Sequence, residues 1–167
     1  MIRILQRLAP VLGFALLFAS VAGAQGVKFQ STLTGKDSVP VVETPVHGEA
    51  SLQLGEDGKT MTFKLTVTDI DDISKAQIRV GPPGQEGPTV VWLYPSQPPA
   101  AVKKGNFAGV LADGTLTAAN LRGPLKGKTL ANLVDQINAG KVYISVYTEK
   151  HPSGEIRGQI EPGELPH

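Results

Sequence analysis

Apolar and polar side chains alternate along most of the chain, and this period of two predicts β-strands with one buried face. A Gly-Glu-Asp-Gly sequence at residues 55–58 separates two of these runs and predicts the turn of a hairpin. A further run, residues 89–94, is more continuously apolar, and residues 107–111 form a shorter candidate strand. The alternating runs are residues 27–34, 47–54, 61–67, 73–80 and 142–147.

The segment VYISVYTEKHPSGEIRGQI, residues 142–160, predicts a second hairpin near the C-terminal end. Its first strand alternates valine and isoleucine on one face with tyrosine and serine on the other. Residues 150–154 supply the turn, and the alternation resumes at Glu155.

One passage of helical spacing interrupts the strands. Leucine, valine and isoleucine recur three and four residues apart in residues 130–138, Thr129 is placed as the N-cap, and Gly140 ends the segment. A second threonine, Thr117, caps a short turn at residues 118–120. About seven or eight strands with one short helix in a connection predict an all-β, antiparallel β-sandwich.

The N-terminal residues predict a secretory signal peptide. Arg3 and Arg7 precede an apolar run of about a dozen residues, too short to span a bilayer, and Ala22-Gly23-Ala24 forms an A-x-A cleavage site. We therefore expect a signal peptide at residues 1–24 and a single exported domain at residues 25–167, with its core at about 29–161. The expected location is secreted or periplasmic.

Composition narrows the classes of partner. The chain has no cysteine, so neither a disulfide nor a lipid-bearing cysteine is expected. Its 16 basic and 15 acidic residues are spread without a basic block, which disfavours nucleic-acid binding. No apolar run after the signal is long enough for a membrane span.

Several segments in order resemble the CHRD domain, named after chordin and common in exported bacterial proteins. They are SVPVVETPVHGEA at residues 38–50, AQIRVGPPGQEGPTVVWL at 76–93, GTLTAANLRGPL at 114–125 and the C-terminal hairpin. The resemblance covers about residues 29–160. It implies a Greek-key β-sandwich, immunoglobulin-like or superoxide dismutase-like in architecture.

Two departures from the family pattern bear on metal binding. Where the family typically has A-H-I-H, this chain has Gln77 and Arg79 in place of the histidines, and where it has V-H-T this chain has Tyr147. Arginine adds a fixed positive charge, and neutral glutamine and tyrosine are poor ligands. A metal function implied by histidine-bearing relatives therefore does not transfer to this chain, and no cofactor is expected.

The remaining metal candidates are weak. His47 and Glu49 share one strand face, but a closed site needs three or four ligands. The acidic cluster of Asp69, Asp71 and Asp72 fails the EF-hand pattern and is predicted to be a solvated loop between strands. The other two histidines, His151 in a turn and His167 at the end of the chain, are expected to be solvated.

One set of polar residues is predicted to face outward from neighbouring strands and to bind a polar ligand or a protein partner outside the cytoplasm. Two of its members are expected to form an ion pair, and the proline- and glycine-rich loop of residues 81–88 is expected to be a rigid strand connection or a binding loop. The set is Gln77, Arg79, Tyr143, Tyr147, Glu155, Arg157 and Gln159, with Glu155 and Arg157 as the pair.

No catalytic motif is evident. There is no cysteine, no Gly-x-Ser-x-Gly sequence and no serine with a marked histidine and aspartate partner. The favoured function is a non-enzymatic binding or interaction module. Two alternatives stay open: a metal-associated or redox-related protein with a superoxide dismutase-like architecture, and a structural component of the cell envelope or matrix.

Overall fold

The computed structural model describes residues 26–163. The predicted signal peptide, residues 1–24, and His167 lie outside the described residues. The described chain is mostly β-structure with one short α-helix, as predicted. Its elements are β1 (Lys28–Thr34), β2 (His47–Leu54), β3 (Met61–Val80), β4 (Thr89–Tyr94), β5 (Lys103–Leu116), α1 (Leu130–Asn138), β6 (Val142–Thr148), β7 (Ile156–Gln159) and β8 (Glu161–Pro162).

The strands form one sheet that closes on itself in a barrel-like arrangement. Five strands are hydrogen-bonded in the order β2-β1-β7-β6-β3. Strand β2 is also hydrogen-bonded to β3, and this pairing closes the ring. The first part of β3, Met61–Thr68, pairs with β2, and its last part, Ile73–Val80, pairs with β6. All of these neighbours are antiparallel. The Greek-key sandwich arrangement stays a prediction.

The long strand β3 corrects the prediction of two strands joined by an acidic loop. Asp69 and Asp72 have positive φ angles of 51° and 45°, within a strand that continues past them. Aspartate tolerates this left-handed backbone better than most residues. The pairing of β3 with β5 shifts register at the same place, so the strand bends there while its ladder continues.

Strand β5 is also longer than the predicted residues 107–111. Glycines with positive φ angles at positions 105, 109 and 114 interrupt the apolar alternation by which a strand is predicted from sequence. Its backbone nevertheless pairs with β3 from Lys103 to Leu116. Backbone hydrogen bonding therefore maintains a strand whose side-chain pattern alone is weak.

The core combines the apolar faces of the strands with one face of α1. Leu130, Leu133 and Ile137 of the helix are buried, and the predicted helix bounds are confirmed. The amide of Thr129 donates to Asn132 Oδ1 at 3.1 Å, and Gly140 adopts a φ of 69° just after the helix. The helix therefore begins and ends where its sequence signals predict.

Candidate binding groove beside the 81–88 loop

The predicted polar residues do come together on one sheet face. Cross-strand register places Gln77 of β3 beside Ser145 of β6, which lies beside Arg157 of β7. Two residues along each strand, on the same face, the neighbouring row consists of Arg79, Tyr143 and Gln159. In a third row Tyr147 of β6 pairs with Lys75, while Glu155 immediately precedes β7. We call this set of rows the polar face.

The expectation that the polar face is open to solvent is wrong. Tyr143 is 1% exposed, Arg157 3% and Gln77 4%, and Tyr147 and Glu155 are buried as well. Only Arg79 and Gln159 are half-buried. The alternation of β6 correctly separates the two faces, but both faces of this strand are covered. The 81–88 loop lies against this face and is hydrogen-bonded to the side chains of Tyr143, Arg157 and Gln159.

Arg157 attaches the loop to the sheet. Its Nη1 donates to the carbonyl oxygen of Gln85 at 2.8 Å, and its Nη2 donates to that of Pro82 at 2.9 Å. Nη2 also donates to Gln159 Oε1 at 3.1 Å. The guanidinium carbon stacks 3.6 Å from the centre of the Tyr143 ring. Arg157 is thus a planar donor that bridges two loop carbonyls.

Tyr143 and Gln159 fix the two ends of the same loop. The Gly87 amide donates to the Tyr143 hydroxyl at 3.1 Å. Gln159 Nε2 donates to the Gly81 carbonyl at 3.2 Å and to the Gly140 carbonyl at 2.9 Å. With the two bonds from Arg157, the loop backbone is held at residues 81, 82, 85 and 87. The interpretation of this loop as a rigid connection fits these contacts.

Arg79 forms a second contact between the polar face and the loop. Its Nη1 donates to the Tyr147 hydroxyl at 2.6 Å and lies 3.6 Å from Glu86 Oε1. Its Nε is buried without a hydrogen-bond partner. Lys75 Nζ lies 4.5 Å from the centre of the Tyr147 ring. Two cations therefore flank this tyrosine.

Glu155 holds a different segment, and the predicted Glu155–Arg157 ion pair does not form. Thr44 donates to Glu155 Oε1 at 3.0 Å, and Thr148 donates to Oε2 at 2.8 Å. Ser38 donates to the Glu155 carbonyl oxygen at 3.1 Å. Within residues 26–163 the ion pairs are Arg79–Glu86 and Lys104–Glu149. Glu155 is thus satisfied by hydroxyl groups, and it anchors the residues that run from β1 to β2.

A groove lies between these two anchored segments. Residues 36–41 form one wall, Pro83 and Gly84 form the other, and Arg157 and Gln159 complete the lining; the volume is about 390 Å³. Val41 is 60% exposed at this wall. Of the residues predicted to contact a ligand, Arg157 and Gln159 therefore line a groove. The other members of the polar face lie outside its lining.

Burial changes the protonation equilibria of two groups in the polar face. It lowers the pKa of Arg157, because the charged guanidinium loses hydration, while the Tyr143 ring and Glu86 act in the opposite direction. It raises the pKa of Tyr147, because the phenolate would be poorly hydrated, and nearby Arg79 opposes this shift. Both shifts reflect a polar network removed from water.

Two of the five weak metal candidates, His47 and Asp72, are engaged in other contacts. His47 Nε2 lies 3.3 Å from the Thr68 hydroxyl, and Asp72 Oδ1 accepts a bond from the Gly105 amide at 2.9 Å. Asp69 and Asp71 lie in β3 rather than in a loop, and Glu49 is an exposed residue of β2. In the described part of the chain, no three histidine, cysteine, aspartate or glutamate side chains are arranged to hold a metal ion.

The residues that attach the loops to the sheet were not predicted from the sequence. Ser38 and Thr44 carried no signal beyond their place in a family segment, and Pro82, Gln85 and Gly87 take part through their backbone atoms. The spacing of prolines and glycines in residues 81–88 indicated restricted conformation. It did not indicate that the loop folds over the polar face.

Between residues 26 and 163, no helix is long and apolar enough to cross a membrane.

The comparisons with known proteins support the family resemblance. No curated protein and no solved structure matches the chain. The family model of the CHRD domain matches residues 29–160, which is most of the sequence. On this match, the chain belongs to the CHRD domain family.

Proposed function

We propose that this is an exported, secreted or periplasmic CHRD-domain protein that acts as a non-enzymatic binding module, with the groove as its binding site. The observation that carries the proposal is the attachment of the 81–88 loop at four backbone positions by the side chains of Tyr143, Arg157 and Gln159. A loop fixed before the ligand arrives loses little conformational entropy on binding.

The second wall of the groove is anchored as well. Ser38 and Thr44 are both bonded to Glu155, and Gly35 accepts a backbone bond from Val42 at 2.9 Å. A ligand would therefore meet two constrained walls. Binding loops presented by a rigid β-scaffold are a common way for such folds to carry recognition.

A larger depression, of about 550 Å³, lies over β1, β2 and β3, and its lining includes Lys28, Gln53 and Lys64. We favour the smaller groove because Arg157, at 3% exposure, is a buried charged group in its lining. Ligand sites combine an apolar lining with a few well-positioned polar groups, and the groove between the two loops has this combination.

The residues of the polar face have two roles in this proposal. Arg157 and Gln159 line the groove and contact the ligand. The remaining members, Gln77, Arg79, Tyr143, Tyr147 and Glu155, hold the walls in place. The donor set at the positions of the family histidines disfavours the metal-associated alternative, because Arg79 carries a fixed positive charge there.

The test compares two exposed valines. Val41→Asp changes the groove wall, while Val110→Asp changes a valine of β5, which is 43% exposed. The mature proteins, with circular dichroism confirming folding, would be incubated with small-molecule extract from the native exported fraction and analysed by mass spectrometry. We expect wild type and Val110→Asp to retain the same compound and Val41→Asp to lose it. Equal retention by both variants, or none by wild type, contradicts the proposal.

A further inference from the structure

The buried cation at the groove has no anionic partner in the protein. No carboxylate of the described residues lies within salt-bridge distance of Arg157, since the ion pairs there join Arg79 to Glu86 and Lys104 to Glu149. Its acceptors are two carbonyl oxygens and the side-chain amide oxygen of Gln159. A desolvated guanidinium with neutral partners attracts an anion more strongly than a hydrated one does.

Arg157 also retains hydrogen-bonding capacity. A guanidinium has five N–H groups, and the bonds to Gln85, Pro82 and Gln159 account for three of them. Two N–H groups are left without an acceptor in the described chain. The two free N–H groups are one on Nε and one on Nη1, and a carboxylate oxygen can accept a charge-assisted bond from either of them.

The charges around the groove favour a single negative charge on the ligand. Lys36 and Arg157 are the cations of its lining, and Asp37 is the anion. Asp37 already accepts a bond from the Thr34 hydroxyl at 2.6 Å. The lining therefore carries a net single positive charge. Electrostatic complementarity selects a ligand of opposite sign.

The remaining lining is apolar. Val39, Pro40 and Val41 lie on one side and Pro83 on the other, and the volume is about 390 Å³. This volume lies within the range typical of small-molecule sites. A short hydrocarbon body against these residues would remove apolar surface from water.

We propose that the groove binds a small organic carboxylate with a short apolar body. The carboxylate lies near Lys36 and Arg157, and the apolar body contacts the valines, Pro40 and Pro83. This inference rests on the proposed function and specifies its ligand class.

Hexanoate is the probe that tests the inference. The isotopically labelled mature protein would be titrated with hexanoate and, separately, with hexanamide, its neutral counterpart, and amide chemical shifts would be followed by NMR. We expect hexanoate to shift amides in residues 36–41 and 81–88 with a dissociation constant of about 1 mM, as is typical of so small a ligand. Hexanamide should bind at least about tenfold more weakly, because it lacks the charge.

Two variants that leave the buried network intact complete the test. Lys36→Gln should weaken hexanoate binding about threefold to tenfold, whereas Lys126→Gln, at an exposed lysine outside the groove, should leave it unchanged. Equal binding of hexanamide and hexanoate overturns the carboxylate inference, as does an absence of shifts in the groove or an equal effect of the two variants. The proposed function is judged separately, by whether wild type and Val110→Asp retain a native compound that Val41→Asp loses.

Discussion

The guanidinium of Arg157 stacks on the ring of Tyr143, 3.6 Å from its centre, and both side chains hold the same loop. Arg157 donates to the Pro82 and Gln85 carbonyls, while Tyr143 accepts from the Gly87 amide. The stacking fixes the plane of the guanidinium, so its donors face the two carbonyls together. Loop position and groove shape therefore depend on this pair.

Replacing Arg157 by lysine should destabilise the fold. An ammonium cannot reproduce the planar bridge between two carbonyls, so the partly buried Pro82 and Gln85 carbonyls lose their donors. We expect Arg157→Lys to lower the free energy of unfolding by about 2–4 kcal/mol, measured by urea denaturation. The control, Arg122→Lys, changes an exposed arginine and should stay within about 0.5 kcal/mol of wild type. A matching small effect for both variants would show that the bridge contributes little.

Tyr143→Phe separates the hydroxyl from the ring. The stacking surface for Arg157 remains, but the Gly87 amide loses its acceptor. We expect a loss of about 1 kcal/mol in unfolding free energy and faster hydrogen exchange at Gly87. Tyr94→Phe is the control, because Tyr94 lies in β4 away from this bond. Unchanged exchange at Gly87 in Tyr143→Phe would contradict the assigned bond.

Alkaline pH should weaken the fold through Tyr147. Burial raises its pKa above the ordinary value of 10.0, so the folded protein holds this proton more tightly than the unfolded chain does. The contribution of Tyr147 to stability is therefore complete below pH 10.0 and falls as the pH rises through the folded-state pKa. Urea denaturation at a series of pH values measures this fall.

Tyr147→Phe tests the assignment of that alkaline loss. The variant lacks the hydroxyl bonded to Arg79, so it should be less stable at neutral pH but should show a shallower decline above pH 10.0. Tyr94→Phe should decline as wild type does. An identical alkaline decline in wild type and Tyr147→Phe would assign the effect to other groups.

Gly158 allows β7 to approach β1 closely. A β-carbon at this position would overlap the Thr32 carbonyl oxygen and would also crowd the Ser31 hydroxyl. We expect Gly158→Ala to lower the free energy of unfolding by about 1–3 kcal/mol, measured by thermal denaturation. At Gly163 the nearest atoms are 3.3 Å from such a carbon, so Gly163→Ala should have a much smaller effect. Equal melting temperatures for the two variants would contradict the close approach.

The sequence predicted elements well where local signals agree. Helix α1 was predicted with its observed bounds because Thr129, the apolar spacing and Gly140 indicate the same segment. The continuous strand β3 was not predicted, because the three aspartates at positions 69, 71 and 72 are typical of loops. The backbone angles of Asp69 and Asp72 cannot be read from the sequence. Local chemistry indicates a turn there, whereas pairing with β5 keeps the segment in the sheet.

The sequence predicted which side chains share the polar face but not what covers them. The period of two assigned Tyr143, Tyr147 and Arg157 to one face, and cross-strand register confirms it. Alternation does not show what lies above a face, so the covering by residues 81–88 was missed. Contacts between segments distant in sequence, such as Ser38 with Glu155, are determined by tertiary structure.

Strand β3 has a consequence for how the domain unfolds. Because its two halves pair with β2 and β6, separating either neighbour opens the whole ring of strands. Partial opening would then expose core residues on both sides of the break. We expect the central amides of β3 to exchange with solvent only through global unfolding, at one common protection factor measured by native-state hydrogen exchange. A subset of them exchanging through a smaller opening would show that the ring can separate locally.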